Sequence, residues 1–357
     1  MNFLKLNKKY PIHIIANPRI FVFAISWLIF LVIIGTIAQK DMGLYAAQNK
    51  FFSSWILWAG PLPLPGGIFT MSVIAICLSA FLFRPNVWKI NKAGILIMHG
   101  GALLLLIGGG ITALLSEEGA MIINENDVSN YIQSYDKKEL AVINTSKYTD
   151  SLEVTNIDSK LLKSDKIISS STLPFKIKII DYFVNVKFDK GNIIPIEPNI
   201  EPSQNNPGLI YIIENDTYQN DTLILSSLLK DKLKKINNET FLFELRPTRT
   251  YVPFNLELID VTRILHPGTN IPKSFSSVIN LFDKKIKRRA LIEMNAPLRY
   301  RGYTFYQANY ILTSQGETTG LAVVKNYGRL FPYIATIIMC IGLLFHLFLK
   351  LPKLFKK

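Results

Sequence analysis

Gly94-Ile-Leu-Ile-Met-His-Gly-Gly-Ala-Leu-Leu-Leu-Leu-Ile-Gly-Gly-Gly-Ile-Thr-Ala-Leu-Leu115 decides how the chain is read. The stretch carries no charge and is bounded by Lys92 on one side and by Glu117 and Glu118 on the other. It exceeds the roughly 20 apolar residues that cross a bilayer core. One ionisable side chain, His99, lies inside it. Such a group is costly in a membrane helix and marks a site facing the bundle interior, paired with a partner or a bound ion. The plainer reading is a hydrogen bond to a neighbouring helix. Gly100 and Gly101 follow directly, and Gly108, Gly109 and Gly110 come two turns later. Without a Cβ, these positions let another helix or a flat cofactor approach the backbone.

Three more uncharged apolar runs flank this one, at Ile20 to Ile37, Gly66 to Phe83 and Leu330 to Leu349, in a chain that is 49% hydrophobic. The expected fold is an α+β membrane protein with four transmembrane helices, at about 20–37, 66–83, 94–115 and 330–349. Residues 1–115 form its N-terminal membrane region, 116–329 a large β-rich extracytoplasmic domain between helices 3 and 4, and 330–357 the last helix with a basic tail.

Lys5, Lys8, Lys9 and Arg19 precede the first run, Arg84, Lys89 and Lys92 follow the second, and Lys350, Lys353, Lys356 and Lys357 follow the fourth, with no acid among these pieces. Cations gather on the cytoplasmic side. Both termini are therefore expected in the cytoplasm and the β-rich domain on the outer, periplasmic side of the inner membrane. The net charge of +14 reads as topology with some anionic-lipid contact; no nucleic-acid motif accompanies it. The first run lacks an A-x-A-like cleavage site and is read as an uncleaved helix. Cys77 and Cys340 both fall within apolar runs. There is no C-x-x-C and no C-x-x-C-H, so the chain is neither a thiol oxidoreductase nor itself a c-type cytochrome.

The block 116–329 alternates with period two. Phe175, Ile177 and Ile179 interleave with lysines, and Phe254, Leu256 and Leu258 with Asn255 and Glu257, the pattern of a sheet with one wet face. Pro174 to Asp181 and Pro253 to Asp260 share the form P-F-x-[IL]-x-[IL]-I-D, which points to two related β-units. Further strands are expected at Leu140 to Asn144, Leu209 to Ile213, Thr222 to Leu225, Phe241 to Leu245, Ser277 to Phe282, Ala290 to Met294, Tyr303 to Tyr310 and Gly320 to Val324, and one short helix at Ser226 to Lys235. A β-sandwich or an open barrel follows. Between the first two runs, Phe51, Phe52, Trp55 and Trp58 precede Pro61, Pro63 and Pro65. The aromatics suit the bilayer interface, and the alternating prolines hold the chain extended.

The histidines are His13, His99, His266 and His346. His99 and His346 are each within about 7 Å of the cytoplasmic end of their runs. Two imidazoles on facing helices are able to ligate a haem iron axially, although His346 is equally able to reach the interface alone. His266 precedes Pro267-Gly268 in a turn, where solvation is the plain reading; His13 lies in the basic tail. Met294 to Tyr310 concentrates Tyr300, Tyr303, Phe305, Tyr306 and Tyr310 with Arg299 and Arg301. This set suits porphyrin propionates, but a strand with aromatic cross-strand packing explains the same residues and is the reading favoured here. No nucleophile triad, P-loop, dinucleotide fingerprint or paired carboxylates in a metal pattern appears.

Four motifs carry a resemblance: Gly35-Thr-Ile-Ala-Gln39, His99-Gly-Gly101, Pro267-Gly-Thr-Asn-Ile-Pro-Lys-Ser-Phe-Ser-Ser277, and Asn295-Ala-Pro-Leu-Arg-Tyr-Arg-Gly-Tyr-Thr-Phe-Tyr-Gln-Ala-Asn-Tyr310. With their order and spacing, the chain resembles the ResB (CcsB) family, the membrane subunit of the type II cytochrome c biogenesis system. The stretch Glu118 to Pro174 carries none of the motifs. The resemblance implies a complex with a CcsA (ResC) type subunit, movement of non-covalently held haem b to the outer side, and its attachment to the C-x-x-C-H thiols of apocytochrome c kept reduced by thiol-reducing proteins of the same pathway. It also implies that His99 is an axial ligand, with Gly100 and Gly101 beside it, and that the second ligand comes from the partner. His346 and His266 are further candidates for haem contact. The chain is then a non-catalytic or co-catalytic subunit of a holocytochrome c synthase. A scaffold that binds no haem, stabilises the partner subunit and captures apocytochrome c is the alternative; a transporter for another substrate is more remote, for want of an inverted repeat.

Overall fold

The computed structural model describes residues 15–84, 87–146, 153–189, 192–215, 222–229, 231–313 and 316–354. His13 and the terminal lysines 5, 8, 9, 356 and 357 lie outside them. The chain divides into two compact units, Met1–Glu117 with Asn326–Lys357, and Glu118–Lys325.

The first unit is helical. α1 runs Pro18–Met42, where Asn17 accepts a bond from the Arg19 amide and Pro18 stands at the first position, a favoured start. α2 is Gly67–Leu82, α3 is Ala93–Leu115 and α4 is Phe331–Leu354. The helices Pro18–Met42, Ile90–Leu115 and Phe331–Leu351 are long and apolar enough to cross a membrane. The expected second span forms a helix of 16 residues, about 24 Å, short of the ~30 Å hydrocarbon core.

Between α1 and α2 the chain makes one helical turn at Leu44–Ala47, a π-helical turn at Gln48–Phe52, and a hairpin of β1 (Ile56–Ala59) with β2 (Leu62–Pro65). The prolines at 61, 63 and 65 shape that hairpin, consistent with an extended approach to α2. It folds back on α1: the Trp27 indole donates to the Pro65 carbonyl at 2.8 Å. A Cβ on Gly35 would lie 2.6 Å from the Phe52 ring. The first motif thus contains a glycine that packing requires.

The second unit is built from strands. In chain order these are β3 (Glu117–Asn124), β4 (Val128–Asn144), β5 (Glu153–Asp158), β6 (Ile167–Ile168), β7 (Lys176–Phe183), β8 (Val186–Asp189), β9 (Asn192–Pro195) and β10 (Gly208–Glu214). There follow β11 (Thr222–Ser226), β12 (Lys232–Ile236), β13 (Glu239–Leu265), β14 (Pro272–Asp283), β15 (Ile286–Glu293), β16 (Leu298–Tyr300), β17 (Tyr303–Thr313) and β18 (Gly316–Lys325).

One sheet runs in the order β15-β14-β13-β4-β3-β18-β17-β16. Its two marginal strands contribute Ile292 and Leu298 to the same core that holds Met121, Phe254, Leu256 and Phe305, so the sheet curls on itself like an open barrel. The other half is a sandwich. The outer stretches of β4 and β13 with β5 and β12 face the sheet β11-β10-β7-β6 across Leu140, Ile177, Tyr211, Phe241 and Phe243. β4 and β13 run through both halves. The two P-F-x-[IL]-x-[IL]-I-D stretches separate accordingly: Phe175, Ile177 and Ile179 fill the sandwich core, and Phe254, Leu256 and Leu258 the barrel core.

Where β13 passes from one half to the other, the register shifts at Pro247 and a buried ion network spans the strands. The Arg246 Nε donates to Glu139 at 3.0 Å, each side chain 4% exposed, and Arg246 and Arg249 both reach Glu244. Burial works against the Arg246 charge, but bonds to Glu244 and Glu139 outweigh it and hold the guanidinium above its ordinary value.

The structure corrects one element. Ser226 to Lys235 is not a helix: β11 ends at Ser226 and Lys232–Ile236 pairs with β13. The cause is the turn. Asn237 and Asn238 both have positive φ, 50° and 65°, the conformation of a tight hairpin, and pairing with β13 overrides the helix propensity of the lysines.

Candidate functional site

Three glycines of α3 are spaced by seven residues and form one face. A Cβ on Gly94 would lie 2.5 Å from the His346 amide nitrogen, one on Gly101 would lie 2.6 Å from Met339 Cγ, and one on Gly108 would overlap the Phe331 side chain. α4 therefore packs backbone to backbone against this face. The return contact is Gly342, whose Cβ would meet Met98 and the Gly94 carbonyl. At the far end, the Thr112 hydroxyl donates to Asn326 Oδ1 at 3.0 Å, which also accepts the Gly328 amide.

His99 belongs to a different side of α3, about 140° around the helix from Gly94 at 3.6 residues per turn. Its half-buried ring stacks on Phe81 of α2, with centroids 4.4 Å apart and planes at 26°. Its Nδ1 lies 2.8 Å from the Ile95 carbonyl oxygen. A carbonyl only accepts, so Nδ1 donates this bond, and Nε2 is the ring nitrogen left for another partner. An Nδ1–H bonded to a backbone carbonyl is the usual support for a metal-ligating histidine, since it fixes tautomer and ring orientation. Beside it, a Cβ on Gly100 would meet nothing within 4 Å, and the same holds for Gly109 and Gly110.

The residues singled out from the sequence thus part company. Gly101 is filled by Met339, while Gly100 borders open space. His346 stands on α4 where that helix meets Gly94, its ring half-buried and its Nδ1 without a hydrogen-bond partner. It does not share the His99 side of α3. His266 is exposed in its turn, its carbonyl accepting the Thr269 amide at 3.1 Å and its amide donating to Ile271. No cluster of three or more His, Cys, Asp or Glu able to hold a metal occurs among the described residues. Of the described histidines, His99 has a ring held in one orientation with Nε2 unengaged. Phe81 escaped sequence reasoning, because nothing in α2 marks which aromatic meets the histidine.

The Met294 to Tyr310 stretch is a packing element. Tyr300, Tyr303 and Phe305 surround Phe254 at centroid distances of 5.1, 6.0 and 6.0 Å. Arg301 and Gly302, with φ of 47° and 85°, make the tight turn between β16 and β17. Arg301 pairs with Asp283, and the Tyr300 hydroxyl donates to the same carboxylate at 2.7 Å. The Tyr300 bond, with the Arg301 charge beside it, holds Asp283 below its ordinary 3.8.

The ResB-like family model matches residues 210–318, a region that holds the third and fourth motifs. Protein NrfI of Wolinella succinogenes is 25% identical over 321 residues, which cover 88% of this chain and 32% of that protein. The chain thus spans about a third of the length of this relative. The resemblance read from the motifs is borne out.

Proposed function

We propose that this ResB-like chain is a haem-handling membrane subunit of a cytochrome c synthase, with His99 as an axial ligand for haem in transit from the cytoplasmic to the outer side. The observation that carries the reading is the His99 ring itself. It is held by Phe81 and the Ile95 carbonyl with Nε2 free, and Gly100 leaves room beside it.

In this reading all four helices cross the inner membrane, the short α2 with help from the hairpin and aromatics around it. The β-rich unit lies on the outer side and both termini in the cytoplasm. One imidazole supplies one ligand, so the second comes from a CcsA/ResC-type partner. Haem is the cargo. The residues of this chain orient and shield it, and the outer domain docks the partner and the apocytochrome whose C-x-x-C-H thiols, kept reduced by the same pathway, accept it. Thioether formation needs aligned thiols and vinyl groups, so the contribution is positioning rather than acid–base chemistry.

The test is the visible spectrum of the detergent-purified chain, alone and with its partner, for wild type and His99→Gly with and without imidazole. A Soret band that depends on His99 and returns with imidazole is expected. A band indifferent to His99→Gly would assign haem to the partner alone and leave this chain as a scaffold.

A further inference from the structure

Two adjoining turns of the barrel carry an exposed basic cluster that the haem reading does not use. Lys284 and Lys285 form the turn between β14 and β15, and Lys287, Arg288 and Arg289 follow on β15; all are exposed. Arg301, also exposed, forms the neighbouring turn. The described ion pairs place one carboxylate here, Asp283, whose side chain is 1% exposed and already bound to Arg301 and Tyr300. Arg301 is thus held from beneath and Lys287 lies over the Phe282 ring at 5.2 Å, and with one buried carboxylate among these cations the surface is net positive. At its tip, Ile286 is 52% exposed among the lysines.

Tyr300 pairs with Tyr303, and Tyr303 with Lys325, so both turns belong to the Lys325 end of the sheet. Asn326 to Leu330 alone separate Lys325 from Phe331, the first residue of α4. That tether is about 20 Å long when fully extended. A basic surface with an apolar residue at its tip, tethered that closely to a membrane helix, fits anionic lipid.

We propose that the β14–β15 turn docks on the anionic phospholipid headgroups of the bilayer that holds the helices, with Ile286 entering the headgroup layer. This rests on the helices crossing a membrane, as proposed above, and is independent of haem binding. Docking would restrain the β-rich unit against the surface where cargo is handed over.

The experiment is amide exchange on the full chain in nanodiscs of phosphatidylcholine alone or mixed with phosphatidylglycerol. Each Lys or Arg near an anionic surface is worth about a fivefold preference. Amides 284–289 are therefore expected to exchange at least about fivefold more slowly in the anionic discs. The slowing should vanish in raised salt and in a Lys285→Glu, Arg288→Glu, Arg289→Glu variant whose remaining strands exchange as in wild type. Equal exchange in both lipids overturns the proposal. So does slowing that appears only when the partner subunit is added, which would make the cluster a protein-docking surface. Carbonate extraction of the chain from membranes would instead mean that the helices do not insert, a failure of the membrane reading and separate from the lipid comparison.

Discussion

Two sides of α3 use the same residue type to opposite ends. On one, Gly94, Gly101 and Gly108 are filled by α4, so that backbones touch and no space remains. On the other, Gly100 borders open space next to His99, and Gly109 and Gly110 border open space about three turns further along. The difference teaches that a glycine in a membrane helix is either a seam or a berth, and that the neighbour decides which. In lipid there is little hydrophobic force between helices, so close packing supplies the association. A seam needs a regular spacing to stay on one face, and the heptad interval of 94, 101 and 108 provides it.

His99→Ala breaks the berth outright and carries the largest expected effect. Cytochrome c maturation should be abolished while the subunit still inserts, as read by haem staining of c-type cytochromes beside an immunoblot of the membrane fraction. Normal staining would remove His99 from the site.

Gly101→Leu attacks the seam. The added side chain meets Met339 and the α4 backbone at Ala335, and the overpacking is expected to cost about 3 kcal/mol, seen as earlier thermal loss of the detergent-solubilised chain. Gly100→Leu is its counterpart on the open side. Stability should change by no more than about 0.5 kcal/mol, whereas the Soret absorbance falls because the room beside His99 is occupied. Equal loss of stability in both variants would erase the distinction between the two sides.

Asp283→Asn gives the smallest effect and leaves α3 untouched. Because the native carboxyl titrates below its ordinary 3.8, its contribution is present above about pH 4 and is lost as pH falls through the native value. The variant should be less stable than wild type at neutral pH, and the gap should close below pH 4 in acid titrations followed by circular dichroism. Soret absorbance at neutral pH should be unaffected.

Much of this was legible in the chain. Charge-free runs long enough for a bilayer announce α1, α3 and α4, and period-two alternation announces β7, β10, β13, β14, β17 and β18, because burial of one face imposes those periods whatever the partner. His99 stood out because a lone imidazole in such a run is expensive. The helix expected at Ser226 to Lys235 does not form because lysine-rich propensity is weak against a strand already in register, and the Asn237-Asn238 turn sets that register. The stretch Met294 to Tyr310 reads as packing rather than chemistry, and Phe254 inside its aromatic group agrees with that reading.

By itself the sequence determined which segments are apolar enough to enter a membrane, which alternate as strands, and which histidine is out of place among its neighbours. Only the tertiary structure decided which glycines are filled, which carbonyl accepts the His99 Nδ1–H bond, that Phe81 backs the ring, and that β4 and β13 serve two cores. The reason is physical: periodicity and charge act within one segment, whereas a contact between α2 and α3 or between Asp283 and Arg301 depends on the path of the chain between them.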